Sequence, residues 1–410
     1  MEAGLALALV VLVLLLQAGA NSSSPIGINY GQVGDDLPSP ASVVPLLRSL
    51  GAARVRLYDA DPSVLSALAG TCVELAVGLP DSLVPRLREP GAAAAWVRSA
   101  LLPHVPAANV SLVTVGNEVL SGNDSALARA LVPAMDALRA ALDAAGLGGR
   151  VAVTTAHSLA VLASSFPPSS AAFRRELLPF VGPLLDFHAR TRSPFLVNAY
   201  PYFAYKADPE RVDIDYALFG PNPGVVDPGT GLRYENMLHA QVDAVRAAIA
   251  RAGKEAGEVE VVVSETGWPS AGDEGEAGAT PENAARYNGN LMRMVAEGRG
   301  TPAAPGRPLR AYVFALFNEN LKPGPASERH YGLFNPDGTP AYDLDLALAL
   351  RPSRNSTGAA AGWAESPLGP SSSSSTGYYT ISSAMKERSC WKERMWALLA
   401  TVVGLLLEFA

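Results

Sequence analysis

The chain has 410 residues, a formal net charge of −7 at pH 7 and 49% hydrophobic residues. No basic block interrupts its central region, which argues against nucleic acid as a partner. Its two cysteines, Cys72 and Cys390, are too few for a disulfide-stapled scaffold or a cysteine-dense accessory module.

The first element is apolar. Residues 4–16, "GLALALVVLVLLL", lead into "QAGA" with small residues at Ala18 and Ala20, which predicts a secretory signal over 1–20 cleaved after Ala20, although the basic start of such signals is missing. From residue 25 to residue 352 roughly 330 residues follow, enough for one large core. Apolar or β-branched stretches recur there, beginning at 25, 53, 73, 110, 151, 194, 260 and 309. Alanine- and leucine-rich segments of helical character separate most of them, notably "SVVPLLRSL", "AAAAWVRSALLPHV", "SALARALVPAMDALRAALDAAG", "ENMLHAQVDAVRAAIARAG" and "NAARYNGNLMRMVAEG". Strand and helix alternating in this way predict an α/β fold, a (β/α)8 TIM barrel. A doubly wound open sheet is disfavoured, because "GINYGQVGDDLPSP" lacks the glycine spacing of a phosphate loop after its first strand.

Such barrels carry their chemistry at the carboxyl ends of their strands. Those ends supply Tyr30, then Tyr58 and Asp59, then Asn117 and Glu118. His157 and Ser158 follow the fifth strand; Asn198, Tyr200 and Tyr202 the sixth; Glu265 and Trp268 the seventh; Phe317, Asn318 and Glu319 the eighth. Two carboxylates, Glu118 and Glu265, facing each other in a mouth rich in tyrosine, asparagine and tryptophan suit glycosidic bond cleavage, where one acid protonates the leaving oxygen and the other attacks or stabilises the anomeric carbon. Aromatic faces stack on sugar rings, and amides and hydroxyls read sugar oxygens. Five scattered histidines give no metal-ligand spacing, so neither a metal nor another cofactor is expected, and His157 reads as structural. No G-x-S-x-G surrounds a serine of "SETGWPS" to make a nucleophile elbow. Cys72, heading the apolar run "CVELAVGL", is expected to be buried. Asn21, Asn109, Asn123 and Asn355 begin glycosylation sequons suited to surface positions.

Beyond the barrel, residues 353–382 are small and polar and predict a flexible stalk. The apolar run "MWALLATVVGLLL" at 395–407 is short for a membrane span. Preceded by the small residues "SSA" at 382–384 and a charged spacer, it predicts a glycosylphosphatidylinositol signal with attachment at Ser382 and removal of 383–410. The predicted product is a monomer held by a lipid anchor at the outer face of the plasma membrane, facing the cell wall.

The motifs "GINYGQVGDDLPSP", "VRLYDAD", "VGNEVL", "NAYPYFAY", "VVVSETGWPSAG" and "FALFNENLKPGPASERHYGLF" together closely resemble the plant endo-1,3-beta-glucanases of glycoside hydrolase family 17, over about residues 25–350. The resemblance implies a retaining (β/α)8 glycosidase acting on beta-1,3-glucan such as callose or fungal wall glucan, with Glu118 of "GNE" as general acid/base and Glu265 of "SETGWPS" as nucleophile. It brings Glu319, Lys322 and Glu328 into the cleft as supporting polar residues; Tyr30, Tyr58, Asn117, Asn198, Tyr200 and Trp268, by their places at strand ends, are the expected substrate contacts. The stalk and tail resemble the membrane-anchored branch. Two alternatives stay open: a mixed-linkage glucan hydrolase or transglycosylase using the same acids, and a non-catalytic glucan-binding surface protein.

Overall fold

The computed structural model describes residues 26–254 and 258–343. Eight parallel strands close into a barrel: β1 (Gly27–Tyr30), β2 (Arg54–Leu57), β3 (Glu74–Leu79), β4 (Asn109–Asn117), β5 (Ala152–Ser158), β6 (Phe195–Asn198), β7 (Val261–Thr266) and β8 (Ala311–Val313). Neighbours in sequence pair around the ring, and β1 closes on β8 with Gly27 opposite Tyr312. Helices α1 (Pro40–Ser49), α2 (Pro62–Ala67), α3 (Ala92–Trp96), α4 (Ser125–Ala144), α5 (Leu178–Thr191), α6 (Pro201–Ala207), α7 (Ile214–Ala217), α8 (Met237–Arg251) and α9 (Pro281–Ala296) run between the strands.

The strands are buried on both faces, which is why they read as nearly continuous apolar runs. Every residue of β7 is buried. Ala76, Leu112, Ala156, Leu196, Val262 and Tyr312, one from each of six successive strands, form a layer inside the barrel. Residues beside them, such as Leu75 and Val77, point the other way into the core shared with the helices. Gly27 makes room for this layer, since a Cβ there would stand 2.3 Å from the Tyr312 ring. At the amino-terminal ends of the strands, Arg54 pairs with Glu74 and Arg310 with Glu260, each at 3.3 Å.

The helices follow their sequence signals. Asp124 caps α4 by accepting from the amides of Ala126 and Leu127, and the buried Leu131, Met135, Leu138 and Leu142 recur every three or four residues along it. Thr280 caps α9 ahead of Pro281. Two helical segments depart from expectation. The segment expected as one helix from residue 92 turns π-helical over Val97–Leu101, and α5 was not anticipated, because Pro179 and Pro183 obscure its pattern. Two short hairpins, Leu162–Ser164 with Ala172–Phe173 and Val225–Val226 with Arg233–Tyr234, sit in the connections. Cys72 is exposed with φ 64°, contrary to the burial expected of it: it stands in the turn before β3, where the apolar run has not yet entered the barrel. The signal, stalk and anchor assignments, with Asn21, Asn355, Ser382 and Cys390, lie outside the described residues.

Candidate active site

Both acids stand where a strand breaks register. The pairing of β4 with β5 shifts between Thr114 and Asn117, and that of β7 with β6 shifts between Val263 and Glu265. Irregularities of this kind re-aim side chains at the rims of barrels. Gly116 takes φ 68°, and a Cβ there would stand 2.6 Å from Val119 and 2.9 Å from Asp81. Glu118 itself has φ 58°, unusual for a residue with a side chain, and its N–H donates to the carbonyl of Ala156 at 2.8 Å. From this turn Glu118 lines the same cleft as Glu265, which stands on β7.

Glu265 is 6% exposed and is met by three donors. Arg56 lies 2.6 Å from Oε1, the Tyr58 hydroxyl donates to the same oxygen at 2.8 Å, and the Tyr200 hydroxyl donates to Oε2 at 2.9 Å. An ionised carboxylate only accepts, so this is the form the three donors fit. Glu118 has a different setting. Burial raises its pKa above the usual carboxylate range and the charge of Glu265 adds to the rise, while a hydrogen bond from Asn198 at 2.8 Å opposes them. The two carboxyl groups thus stand in unlike settings, Glu265 among three donors and Glu118 where burial favours its protonated form.

The two are coupled through polar side chains. Arg56 also donates to Asn117 Oδ1 at 2.7 Å, and Asn198, 3% exposed, accepts from Ser264 at 2.7 Å while donating to Glu118. Tyr58, Asn117, Glu118, Tyr200 and Glu265 line a cleft of about 270 Å³, with Phe203, Phe314, Lys322, Glu328 and Tyr331 completing its walls. A larger hollow of about 1140 Å³, bordered by Arg54, Glu260 and Arg310, opens at the opposite end of the barrel. Neither Glu118 nor Glu265 borders it, so size does not mark the chemistry.

The expected contacts divide into those on the cleft wall and those behind it. Tyr58, Asn117, Tyr200, Lys322 and Glu328 are on the wall. Asn198 reaches Glu118 from below. Glu319 is 2% exposed and accepts from the Val33 amide at 2.7 Å, pairing with Lys322 at 3.5 Å, so it joins the loops after β1 and β8. Tyr30 and Trp268 are corrected by their burial. Tyr30 is 2% exposed with its ring edge on Phe317, and Trp268 is 0% exposed, donating to the Gly278 carbonyl at 2.8 Å and packed against Tyr202, Tyr205 and Tyr287. Neither presents a face to a sugar; both fill space between loops. Asp59 is exposed and accepts from the Asp61 amide, Ser158 caps the turn at Ala160, and Phe317 and Asn318 pack the last loop. His157 is structural as expected: it is buried against Phe195, and burial lowers its pKa to about 3.

Arg56 escaped sequence reading. Its signal was the alternation "RVRL", which puts Arg54 and Arg56 on one face of β2 and therefore inside the barrel. Asn109 and Asn123 are both exposed, as a modified asparagine must be.

The model for "Glycosyl hydrolases family 17" matches residues 26–346. "Glucan endo-1,3-beta-glucosidase 11" of Arabidopsis thaliana is 54% identical over 329 residues, covering 80% of this chain and 77% of its own. A "Glucan endo-1,3-beta-glucosidase" of Triticum aestivum is 47% identical, covering 82% and 75%. Among solved structures, CJP38, a beta-1,3-glucanase and allergen of Cryptomeria japonica pollen, superposes with a TM-score of 0.74 at 40% identity, over 78% of this chain and 98% of that one. A structure from a study of two plant beta-glucan endohydrolases with distinct substrate specificities gives 0.72 at 40% identity, over 78% and 100%. The chain belongs to glycosyl hydrolases family 17.

Proposed function

We propose that the chain cleaves internal 1,3-beta-D-glucosidic linkages of beta-1,3-glucan with retention of configuration, Glu265 acting as nucleophile and Glu118 as acid/base. The observation that carries the assignment of roles is the contrast between three donors on Glu265 and the proton-favouring burial of Glu118. In the first step Glu118 gives its proton to the glycosidic oxygen as a Glu265 oxygen bonds to the anomeric carbon and the carbon–oxygen bond to the leaving sugar breaks. In the second, Glu118 takes a proton from water, whose oxygen attacks the same carbon and releases Glu265. Arg56, Tyr58 and Tyr200 hold the nucleophile on its line of attack. Phe203, 45% exposed, and the half-buried Tyr200 offer ring surface to the sugars, and Asn117, with its carbonyl turned to Arg56, has its amide N–H groups for a sugar hydroxyl. Lys322 and Glu328 supply charge and hydrogen bonds on the same wall.

The roles are tested by substitution. Glu265→Gln should abolish turnover of beta-1,3-gluco-oligosaccharides while the melting transition persists. Glu118→Ala should lose far more activity on natural glucan than on an aryl glycoside whose leaving group needs no protonation. Equal losses on both substrates would refute Glu118 as the acid. Comparison of pure beta-1,3-glucan, mixed-linkage glucan and long acceptor oligosaccharides decides between hydrolysis of the first and the alternatives of mixed-linkage cleavage or transglycosylation.

We further infer that the protein is secreted and lipid-anchored outside the cell. The support is the order of sequence signals: an apolar start, the barrel, a small polar stretch, the triad at 382–384, a charged spacer and an apolar end. Among the described residues no helix is long and apolar enough to cross a membrane. Phosphatidylinositol-specific phospholipase C should release the protein from intact cells. Retention on the membrane together with a recovered peptide containing Trp396 would refute the anchor.

A further inference from the structure

Behind the cleft wall lies a carboxylate that the mechanism does not use. Glu276, in the loop after β7, is 7% exposed, and both of its carboxyl oxygens accept hydrogen bonds. Lys206 donates to Oε1 at 2.6 Å from the carboxyl end of α6, and the Ser327 hydroxyl donates to the same oxygen at 2.6 Å. The Ser327 amide donates to Oε2 at 2.9 Å and the Asp273 amide at 3.0 Å. One carboxyl group therefore joins the loops after β6, β7 and β8. The two loops it grips from outside its own carry cleft residues: Phe203 lies three positions before Lys206, Glu328 follows Ser327 directly and Tyr331 lies four positions after it. The same junction is reinforced nearby, where Asp273 accepts from the Ala326 amide at 2.9 Å and the Ser270 amide donates to the His330 carbonyl at 2.8 Å.

We propose that Glu276 is a positioning residue for the glucan cleft, a latch that fixes the segment bearing Glu328 and Tyr331 against the loop that follows the nucleophile. The 3-10 turn Ala326–Arg329 is too short to hold itself. Ser327 is 0% exposed, so its amide and hydroxyl need partners within the protein, and both find the Glu276 carboxyl group. With the carboxylate neutralised, two donors that met a full charge meet an amide, one side of which is itself a donor, and the turn relaxes. Loss of placement at a cleft wall reaches the chemistry even though the altered residue touches no substrate.

The inference rests on the glucan reading above for its kinetic consequence and on geometry alone for its structural one, so it is tested by both. Glu276→Gln should lower kcat/KM on a beta-1,3-gluco-oligosaccharide, by up to about 100-fold. In a Glu328→Gln background the same change should cost much less, because both act on one segment. Hydrogen exchange should accelerate in peptides spanning 325–333 and stay unchanged in strands β3–β5. Ser327→Ala, which removes one hydroxyl and leaves the charge, serves if the first variant does not fold, and should give the same pattern at smaller size. Losses that add fully across the two backgrounds, or unchanged exchange over 325–333, would overturn the latch. A wild-type protein that failed to cleave beta-1,3-glucan would instead refute the substrate reading, and the exchange experiment would still decide for or against the latch.

Discussion

Arg56 shows how much of the site hangs on one buried charge. Its side chain is 1% exposed, and it links Glu265 to Asn117, the neighbour of Glu118. Arg56→Met should therefore reduce kcat by about 100- to 1000-fold, the scale seen when a preorganised donor is removed, with the variant's fold checked by circular dichroism. Near-normal turnover would mean that Tyr58 and Tyr200 hold the nucleophile unaided. Asn198 permits a sharper test. Its hydrogen bond favours the ionised form of Glu118, so Asn198→Ala should raise the pKa of that acid further. In the proposed mechanism Glu118 must be protonated in the first step, so the alkaline limb of kcat/KM should move to higher pH in this variant. A limb that stays in place, or moves down, would argue against Glu118 as the titrating acid. That Glu118 and Glu265 share one cleft was legible in the sequence, because a carboxylate ending an apolar strand stands out. Arg56 was not, because its meaning depends on which face of β2 is inward. Tyr30 and Trp268 were misplaced for the reverse reason, since an aromatic at a strand end looks the same whether it lines a cleft or fills the space beneath a loop.

At the scale of elements, the interruptions in β4 and β7 matter more than the strands themselves. The strands and their order followed from apolar runs separated by helices, and the barrel was legible from that pattern. The register shifts were not, because a bulge is set by pairing with a neighbour distant in sequence. Gly116 is where the shift in β4 can be tested. Gly116→Ala would place a side chain at φ 68° and against Val119, so the variant should lose about 1–3 kcal/mol of stability and most of its activity, since Glu118 leaves the same turn. A variant of normal stability and turnover would show that the turn does not aim the acid. Helix α5 marks another limit, because its prolines hide a segment whose buried residues Val181, Leu184, Leu185 and Phe187 pack well once the barrel exists to receive them.

For the molecule as a whole, the buried histidines set a limit on acid tolerance. Burial lowers the pKa of His157 and of His188 to about 3, and that of His239 to about 4, against 6.5 when unfolded. The unfolded chain thus binds protons that the native state refuses. Their contribution to stability is complete above pH 6.5 and is lost as pH falls through the window from 6.5 to about 3, by up to about 1.4 kcal/mol per histidine per pH unit. Glu276, lowered to about 2, adds the same sign of dependence below 4.5. The melting temperature should fall steadily between pH 6.5 and 4, and His157→Phe should flatten that slope; an unchanged slope would remove His157 from the explanation.

The central claim is that Glu265 attacks carbon while Glu118 handles the proton, and the anomeric form of the first product tests it most directly. Proton NMR during the earliest hydrolysis of a beta-1,3-gluco-oligosaccharide should show the beta anomer appearing first, with the alpha anomer growing in only by mutarotation. Initial release of the alpha anomer would mean a single displacement by water, and Glu265 would not be the nucleophile.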